Sequence, residues 1–121
     1  MRIANPTARL GEDKACEFLK KLGYKIIDRN FRKGYGEIDI VAVHDNTLIF
    51  VEVKTRSSNA FGTPFEAITP WKLRPLLKTA EFYKLTHKSL PDSLRIDAVG
   101  VTLDQNKEVE SIEHIKNITG Y

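Results

Sequence analysis

Two consecutive apolar stretches of this chain carry charged residues at positions where a buried strand normally has hydrophobic side chains. The first, GEIDIVAV, covers residues 36–43, and the second, TLIFVEVK, covers residues 47–54. An isolated charge inside a strand core is costly or shifts its pKa, so such groups are paired or bind a metal ion. The pattern therefore predicts two strands with a polar site between them.

The charged residues of these two strands are expected to point the same way. Side chains alternate across a strand, so Glu37 and Asp39 share one face with Val41. By the same rule, Glu52 and Lys54 share one face of the next strand. All four charges can then converge on one site.

The link between the two strands predicts which charges lie opposite each other. The Asp-Asn pair at positions 45–46 tolerates the positive φ of a two-residue turn, which closes an antiparallel hairpin. In that register Asp39 lies opposite Glu52, and Glu37 lies opposite Lys54. Opposed residues have Cβ atoms about 4.5–5.5 Å apart, close enough for two carboxylates to hold one cation.

The remaining pattern predicts two helices and three further strands, in the order α-β-β-β-α-β-β. Thr7 as N-cap and Gly23 as C′ residue bracket the first helix. The second helix begins at the Thr-Pro pair 69–70 and ends near His87, and Pro75 is expected to kink its first turns or delay its start. The further strands are expected at residues 24–28, 94–101 and 109–115, and a mobile loop at residues 29–36.

A further acid, Glu12, lies on the apolar side of the first predicted helix. At about 100° per residue it projects between Cys16 and Leu19, whereas Asp13 and Glu17 fall on the opposite face. Glu12 is therefore expected to be delivered from this helix to the charged strands.

Carboxylate oxygens in this arrangement suit Mg²⁺ or Mn²⁺, which keep several waters and also bind substrate phosphate oxygens. Zinc fits this ligand set less well. Such an ion polarises a scissile phosphate and acidifies a bound water, while Lys54 orients that water or offsets charge in the transition state. The residues thus predict metal-assisted hydrolysis, with Glu12 available to complete the metal shell.

The spaced acids also carry a family resemblance. Glu12, then Glu37-Ile38-Asp39, then Glu52-Val53-Lys54 resemble the signature of the PD-(D/E)xK superfamily of restriction-endonuclease-like nucleases, which includes archaeal Holliday junction resolvases. Over nearly its whole length the chain also resembles the small bacterial YraN-like family of predicted endonuclease-like proteins. The shared motifs are GE at 11–12, GY at 23–24, RN at 29–30, GEID at 36–39 and FVEVKTR at 50–56.

The resemblance implies a restriction-endonuclease-like α/β fold, in which a mixed central sheet is flanked by helices. Two departures from the superfamily pattern are visible. Ile38 stands where a proline precedes the aspartate, and Pro75 interrupts the second helix. The resemblance assigns Asp39, Glu52 and the Val53 carbonyl as metal ligands, Lys54 as the catalytic lysine and Glu12 as the helix-borne acid.

Length and composition limit the class of protein. At 121 residues the chain is expected to form one domain, residues 1–121, and its net charge of +3 favours anionic partners. The single cysteine, Cys16, is expected to be a small buried hydrophobe, and it excludes an internal disulfide and a multi-cysteine zinc site. Neither a signal peptide nor a membrane span is readable, so the cytoplasm is the expected compartment.

Basic residues flank the predicted hairpin on both sides in the sequence. They are expected to frame a groove that binds DNA, in preference to RNA, through salt-sensitive phosphate contacts. A merely solvated surface is the alternative. These residues are Arg29, Arg32, Lys33, Arg56, Lys72, Arg74 and Lys78.

Aromatic residues near the basic segments admit two roles. Phe31, Tyr35 and Phe61 are expected to pack in the core or within loops, with stacking on unpaired bases as the alternative. Trp71 is expected to cap the core, or else to lie exposed beside Lys72 and stack on a base.

Each charged pair also has a structural interpretation. Glu52 and Lys54 can form a same-face ion pair at a sheet edge, which would contribute little. Glu37 can pair with Lys54 or Arg56 at the strand start rather than serve the site. Arg95 and Asp97 share a strand face and are expected to form a structural ion pair.

The sequence therefore predicts a metal-dependent nuclease that hydrolyses phosphodiester bonds of branched or single-stranded DNA, in DNA processing or repair. A homodimer is compatible with this role, because cutting two strands symmetrically needs two active sites. Two other functions stay open. One is a nucleic-acid-binding module in which the acids persist without turnover, and the other is a subunit that docks onto a larger DNA-processing complex and uses the metal for folding.

Overall fold

The polypeptide forms a β-sheet with a helix against each face. The computed structural model describes residues 5–34, 36–58, 60 and 62–119. A short 3₁₀ helix, Pro64–Ala67, follows the third strand. The other elements are α1 (Pro6–Lys21), β1 (Lys25–Lys33), β2 (Gly36–His44), β3 (Thr47–Ser57), α2 (Pro70–Thr86), β4 (Leu94–Leu103) and β5 (Val109–Ile115).

The sheet topology is mixed. The strands lie side by side in the order β1-β2-β3-β4-β5, and each neighbouring pair is antiparallel except β3 and β4, which are parallel. A parallel pair needs a crossover connection, and α2 supplies it between β3 and β4. The predicted mixed α/β sheet and the order α-β-β-β-α-β-β are confirmed, with the 3₁₀ helix as an addition.

The two faces of the sheet carry separate apolar clusters. The α1 cluster joins α1 to one face, and Cys16 lies buried in it, as expected. The α2 cluster joins α2 to the other face. Each helix is therefore fixed against the strands that carry the charged residues. Central members are Ala15, Leu19, Ile40 and Val51 in the α1 cluster, and Ile38, Phe50, Leu76, Ala80 and Tyr83 in the α2 cluster.

The ends of both helices follow from local capping rules. The N-cap of α1 is Asn5, whose Oδ1 accepts a hydrogen bond from Thr7 N at 2.9 Å, so the expectation of Thr7 as N-cap is wrong. The proline that follows Asn5 favours this earlier start. Gly23 has φ of +91°, the left-handed conformation expected at C′. α2 starts at Pro70, as predicted. Pro75 lies inside the helix and does not delay its start.

Within the described residues, no helix is long and apolar enough to cross a membrane.

β1 is longer than the sequence predicts. It pairs with β2 from Lys25 to Lys33, so the expectation of a strand ending at Asp28 is wrong, and residues 29–33 of the expected mobile loop 29–36 belong to the strand. Two irregularities disturb its period-two pattern, namely a bulge just before Asp28 and the left-handed φ of +54° at Asn30. β1 is also an edge strand, where charged side chains protect the open edge from pairing with other chains.

The β2–β3 hairpin has the predicted turn and register. The two residues of its turn, 45–46, have φ of +48° and +57°, as this kind of tight hairpin requires. Backbone pairing runs from His44–Thr47 to Ile40–Val51. The expected register is therefore confirmed over this part of the hairpin.

A buried carboxylate on β4 is satisfied by hydrogen bonds from three residues. Asp97 accepts them from Arg95 Nε at 2.9 Å, His114 Nε2 at 2.8 Å and Asn117 N at 2.9 Å. Burial raises the pKa of Asp97, but these hydrogen bonds together outweigh burial, so the net pKa is lowered. The predicted structural ion pair of Arg95 with Asp97 is confirmed.

We predict that Asp97→Asn lowers the free energy of unfolding at neutral pH by about 3 kcal/mol, because it leaves Arg95 without its buried partner charge. The contribution of the carboxylate is present above its unfolded pKa of about 3.9 and is lost as the pH falls through the lower folded pKa. The difference in the free energy of unfolding between variant and wild type should therefore become smaller at acidic pH. Urea unfolding as a function of pH measures both effects.

Asp45→Asn is the matched control for this prediction, because Asp45 is 88% exposed in a turn that asparagine also favours. Equal stability of Asp97→Asn and wild type at neutral pH would contradict the stabilising role assigned to the Asp97 carboxylate.

Candidate active site

The sheet opens at its centre between β2 and β3. Within the described residues, pairing of these two strands stops at Ile40–Val51, whereas β1–β2 and β3–β4 pairing continues to the strand ends. Asp39, the next residue of β2, accepts a hydrogen bond from Val53 N to its Oδ2 at 2.7 Å. A carboxylate thus stands where the backbone ladder would continue, and the two strands part around it.

The side chains of β2 change face at this opening. Ile38 packs in the α2 cluster and Ile40 in the α1 cluster, although strict alternation would put both on one face. The expectation that Glu37, Asp39 and Val41 share a face is therefore wrong, since Val41 packs against α2 with Ile38. β1 is irregular at the same level, because Asn30, which has a left-handed backbone conformation, lies beside the opening.

The expected opposition of charged residues lies just beyond the end of the ladder. Asp39–Glu52 and Glu37–Lys54 would follow Ile40–Val51 in register, but neither is a backbone pair in the described hairpin. Glu37 instead lies opposite a residue of β1. The charges are brought together by the parting of the strands rather than by regular pairing.

Glu12 approaches the opening from α1. Gly11 lets this helix lie directly on β3, since a Cβ at that position would overlap the Thr55 hydroxyl. Glu12 Oε1 accepts hydrogen bonds from Asn30 Nδ2 at 2.7 Å and Arg29 Nη2 at 3.3 Å, and its side chain is 13% exposed. The predicted placement of Glu12 on the inner side of the helix is confirmed.

Asn30 is a site residue that the sequence reasoning missed. It makes the shorter of the two hydrogen bonds to Glu12, from a position with left-handed backbone. Asparagine adopts that conformation more readily than most residues. An asparagine within a strand-length basic segment was the available signal, because it indicates a local irregularity that redirects side chains.

Glu52 and Lys54 lie together on β3 beside the opening. Lys54 Nζ is 3.2 Å from Glu52 Oε1, and the two side chains are 28% and 17% exposed. The ion pair that the structural interpretation expects is therefore present, but β3 has neighbours on both sides, so the pair does not lie on an edge strand. Partial burial reduces screening by salt, which strengthens the attraction relative to a surface pair.

One cavity of about 340 Å³ is lined by the side chains of Glu12, Asp39, Glu52 and Lys54. A neighbouring hollow of about 260 Å³ shares part of this lining and adds Arg32. A third hollow, of about 120 Å³, also borders Lys54 and adds Lys72. We call the three hollows together the central cleft. The cavity at its middle is lined by Glu12, Glu37, Asp39, Glu52, Val53 and Lys54, among others.

The carboxylates of the central cleft repel each other, which affects the pKa of Asp39. Burial raises the pKa of Asp39 most, and the negative charge of Glu52 raises it further. The hydrogen bond from Val53 N and the charge of Lys54 offset only part of this, so the pKa lies at about 7. Two partly buried carboxylates that repel each other are stabilised by a cation between them.

The donor set of the cleft fits a hard divalent cation. Asp39 and Glu52 offer carboxylate oxygens, and Val53 lies between Glu52 and Lys54 on the same strand. In the part of the chain that the structure describes, no three His, Cys, Asp or Glu side chains form a compact metal-binding group. Mg²⁺ and Mn²⁺ suit such an incomplete set, because waters and substrate phosphates supply their remaining ligands.

The predicted nucleic-acid-binding residues near the hairpin divide into two groups. Arg32 and Lys72 line the two outer hollows of the central cleft. Arg29 is instead engaged by acids of α1, with its Nη2 2.8 Å from Asp13 Oδ1. Lys33 lies 4.4 Å above the centre of an aromatic ring of α2. Only the first group therefore faces the cleft.

Arg56 and Arg74 have other surroundings. Arg56 Nε and Nη1 are buried, and neither has a hydrogen-bond partner in the described structure. Arg74 is exposed on α2, where it lines a separate hollow with Trp71 and Lys78. Neither arginine lines the cavity that holds the carboxylates.

The aromatic residues differ in outcome. The Phe31 ring lies 4.9 Å from the Tyr83 ring, centre to centre, within the α2 cluster, so its expected core packing is confirmed. Trp71 is 77% exposed, so the expectation that it caps the core is wrong. Tyr35 and Phe61 lie outside the described residues.

Comparison with known proteins assigns the chain to a family. The model of the family described as "Uncharacterised protein family UPF0102" matches residues 11–101. The chain belongs to this family. The resemblance to YraN-like proteins is thereby confirmed. The matched range contains Glu12, Asp39, Glu52 and Lys54.

Curated UPF0102 proteins are similar to this chain over almost their whole length. One from Caldicellulosiruptor saccharolyticus is 50% identical over 107 residues, which cover 88% of this chain and 91% of the relative. One from Syntrophomonas wolfei is 44% identical over 108 residues, with coverage of 88% and 91%. One from Renibacterium salmoninarum is 41% identical over 118 residues, with coverage of 98% and 99%.

A solved structure described as "Structure of EndoMS-dsDNA2 complex" resembles this chain with a TM-score of 0.42 and 12% sequence identity. The match covers 85% of this chain and 38% of that chain.

The electrostatic state of the cavity leads to a prediction about stability. At pH 8 and without divalent ions, Asp39→Asn should raise the free energy of unfolding by roughly 1–3 kcal/mol, because it removes the cost of burying the charge and the repulsion from Glu52, while an amide oxygen still accepts from Val53 N. Thermal unfolding followed by circular dichroism measures the change.

Asp92→Asn is the control for this prediction, since Asp92 is fully exposed and its ion pair with Lys84, at 3.2 Å, should contribute little to the melting temperature. A lower melting temperature for Asp39→Asn than for wild type would show that the carboxylate stabilises the fold rather than straining it.

Proposed function

We propose that this UPF0102 protein is a metal-dependent nuclease that hydrolyses phosphodiester bonds. The observation that carries the proposal is the meeting of Asp39, Glu52 and Lys54 where β2 and β3 part, in one cavity with Glu12. Hydrophobic residues at these positions would stabilise the sheet better than partly buried charges. A cluster of acids in a cleft, one of which, Asp39, has a raised pKa, is typical of catalytic sites.

The proposed cofactor is Mg²⁺ or Mn²⁺. Asp39, Glu52 and the Val53 carbonyl are the residues that would hold it, and their oxygen donors fit such an ion. When bound, the ion supplies the charge that polarises a phosphate and acidifies a water. The protein contributes the position of the carboxylates, which the hydrogen bond from Val53 N to Asp39 secures on one side.

Lys54 acts on the charge of the reacting phosphate. Its ammonium group is held 3.2 Å from Glu52 and borders the cavity, so it can donate hydrogen bonds to a phosphate oxygen or to the attacking water. Its positive charge offsets the negative charge that develops in the transition state. Glu12, held by Asn30 and Arg29, completes the ligand shell or positions water.

The proposed substrate is DNA, in particular branched or single-stranded DNA. Arg32 and Lys72 place cations in the two outer hollows of the central cleft, where they can contact phosphates on either side of the scissile bond. Such contacts are independent of base sequence and weaken with salt. Preference for DNA over RNA and a homodimer remain predictions from the sequence.

We predict that Lys54→Ala lowers the rate of DNA cleavage in Mg²⁺ or Mn²⁺ at least about 100-fold, while the affinity for uncut DNA falls little. The ammonium group is expected to act mainly in the transition state, so its loss should affect turnover more than binding. Initial rates on flapped, branched and single-stranded DNA, with binding measured separately without metal, provide the test.

Lys25→Ala is the matched control, because Lys25 is an exposed lysine of a strand and lies at the end of β1 away from the opening. Unchanged cleavage by Lys54→Ala would refute the role of this lysine. Salt-dependent DNA binding without cleavage of any topology would favour the non-catalytic binding module. Absence of both binding and cleavage would favour a docking subunit of a larger complex.

A further inference from the structure

Trp71, the single tryptophan of the chain, presents its side chain to solvent in the first turn of α2. The residue is 77% exposed and packs in neither of the two apolar clusters. An aromatic ring left in water forgoes the free energy that its burial would supply. The surroundings of Trp71 indicate what covers it.

Trp71 shares a shallow hollow of about 290 Å³ with Arg74, Pro75 and Lys78. The spacing of these residues puts their side chains on one face of the helix. Among the described residues, the lining combines one indole with two cationic side chains and includes no acid. We call this surface the stacking face.

The stacking face adjoins the central cleft. Pro75 lines both the hollow at Trp71 and the part of the cleft that borders Glu52 and Lys54. Trp71 and Pro75 are one helical turn apart, about 6 Å along the axis, which is the length of one or two nucleotides. A strand with a phosphate at Lys54 can therefore extend over Pro75 to the indole.

We infer that the stacking face binds an unpaired nucleotide of the substrate, with Trp71 stacked on its base and Arg74 and Lys78 close to its phosphates. This inference rests on the proposed nuclease function and narrows its substrate class. A base within a duplex is stacked on both faces, whereas a flap, a branch or a single strand offers a free face. The substrate must then contain an unpaired base next to the scissile phosphate.

The charges of the stacking face favour nucleic acid over a protein as its occupant. Exposed tryptophans also anchor protein interfaces, often beside arginine, but lysine is depleted at such interfaces. Here the indole is flanked by Arg74 and Lys78, and Lys72 lies next to it at the cleft. Stacking combined with phosphate contacts is the usual way in which single-stranded nucleic acid is bound.

Tryptophan fluorescence tests the inference directly, because the whole signal comes from position 71. The full-length protein with Lys54→Ala, used to keep the DNA uncut, is titrated with a single-stranded oligothymidylate and with a blunt hairpin duplex of equal length. A base stacked on the indole quenches its emission. We expect saturable quenching by the single strand and little quenching by the duplex.

Affinity measurements with a labelled oligothymidylate extend the test to variants without tryptophan. Trp71→Ala should raise the dissociation constant about 5- to 100-fold, whereas Trp71→Phe, which keeps an aromatic ring, should retain most of the affinity. Leu85→Ala is the matched control, since Leu85 is 67% exposed near the other end of the same helix and should not change binding. Circular dichroism confirms that each variant is folded.

Equal quenching by single strand and duplex, or unchanged affinity in Trp71→Ala, would overturn the inference. Absence of binding to either DNA would overturn it as well and would favour a protein ligand for this face. The same experiments distinguish a failure of the nuclease proposal from a failure of the stacking face. Quenching by the single strand without cleavage by the wild type in Mg²⁺ or Mn²⁺ leaves the stacking face supported, and cleavage without quenching rejects the stacking face alone.

Discussion

At 2.7 Å, the hydrogen bond from Val53 N to the Asp39 carboxylate holds β2 and β3 at the point where their backbone pairing stops. A backbone N–H left unpaired inside a sheet is costly, and this carboxylate satisfies one that the parting strands would otherwise leave free. Because Val53 lies between Glu52 and Lys54, the same bond places both charged residues of β3 relative to Asp39. The opening of the sheet and the order of its charges therefore depend on one contact between a side chain and the backbone.

Packing on both faces keeps these mutually repelling carboxylates together. Ile38 is held in the α2 cluster and Ile40 in the α1 cluster, so the segment around Asp39 is anchored from both sides. Glu12 is restrained separately through two residues of β1. An electrostatically strained arrangement persists only where its surroundings over-determine it, and such arrangements cluster at functional sites.

The parts of this structure that follow from local rules are the parts that the sequence predicts. Turn chemistry at 45–46 determines the hairpin register, and helical periodicity places Glu12 on the inner face of α1. The length of β1 and the face of Asp39 could not be predicted in this way. Both depend on where one ladder ends and on the left-handed conformation of Asn30, which no period-two pattern contains. The exposure of Trp71 depends on which face of α2 meets the sheet, which is a tertiary property.

The distribution of charge in the cleft also explains how a polyanion can approach carboxylates. The net charge of +3 is too small to attract nucleic acid strongly, so the local field decides. The acids Asp39 and Glu52 lie in the middle of the cleft, with Arg32 and Lys72 in its two outer hollows. Phosphates held by the outer cations would bring the next phosphate over the acids, where its charge is tolerated only beside Lys54 and a bound cation. Under the proposed function, binding of the strand would therefore depend on occupancy of the metal position by a cation.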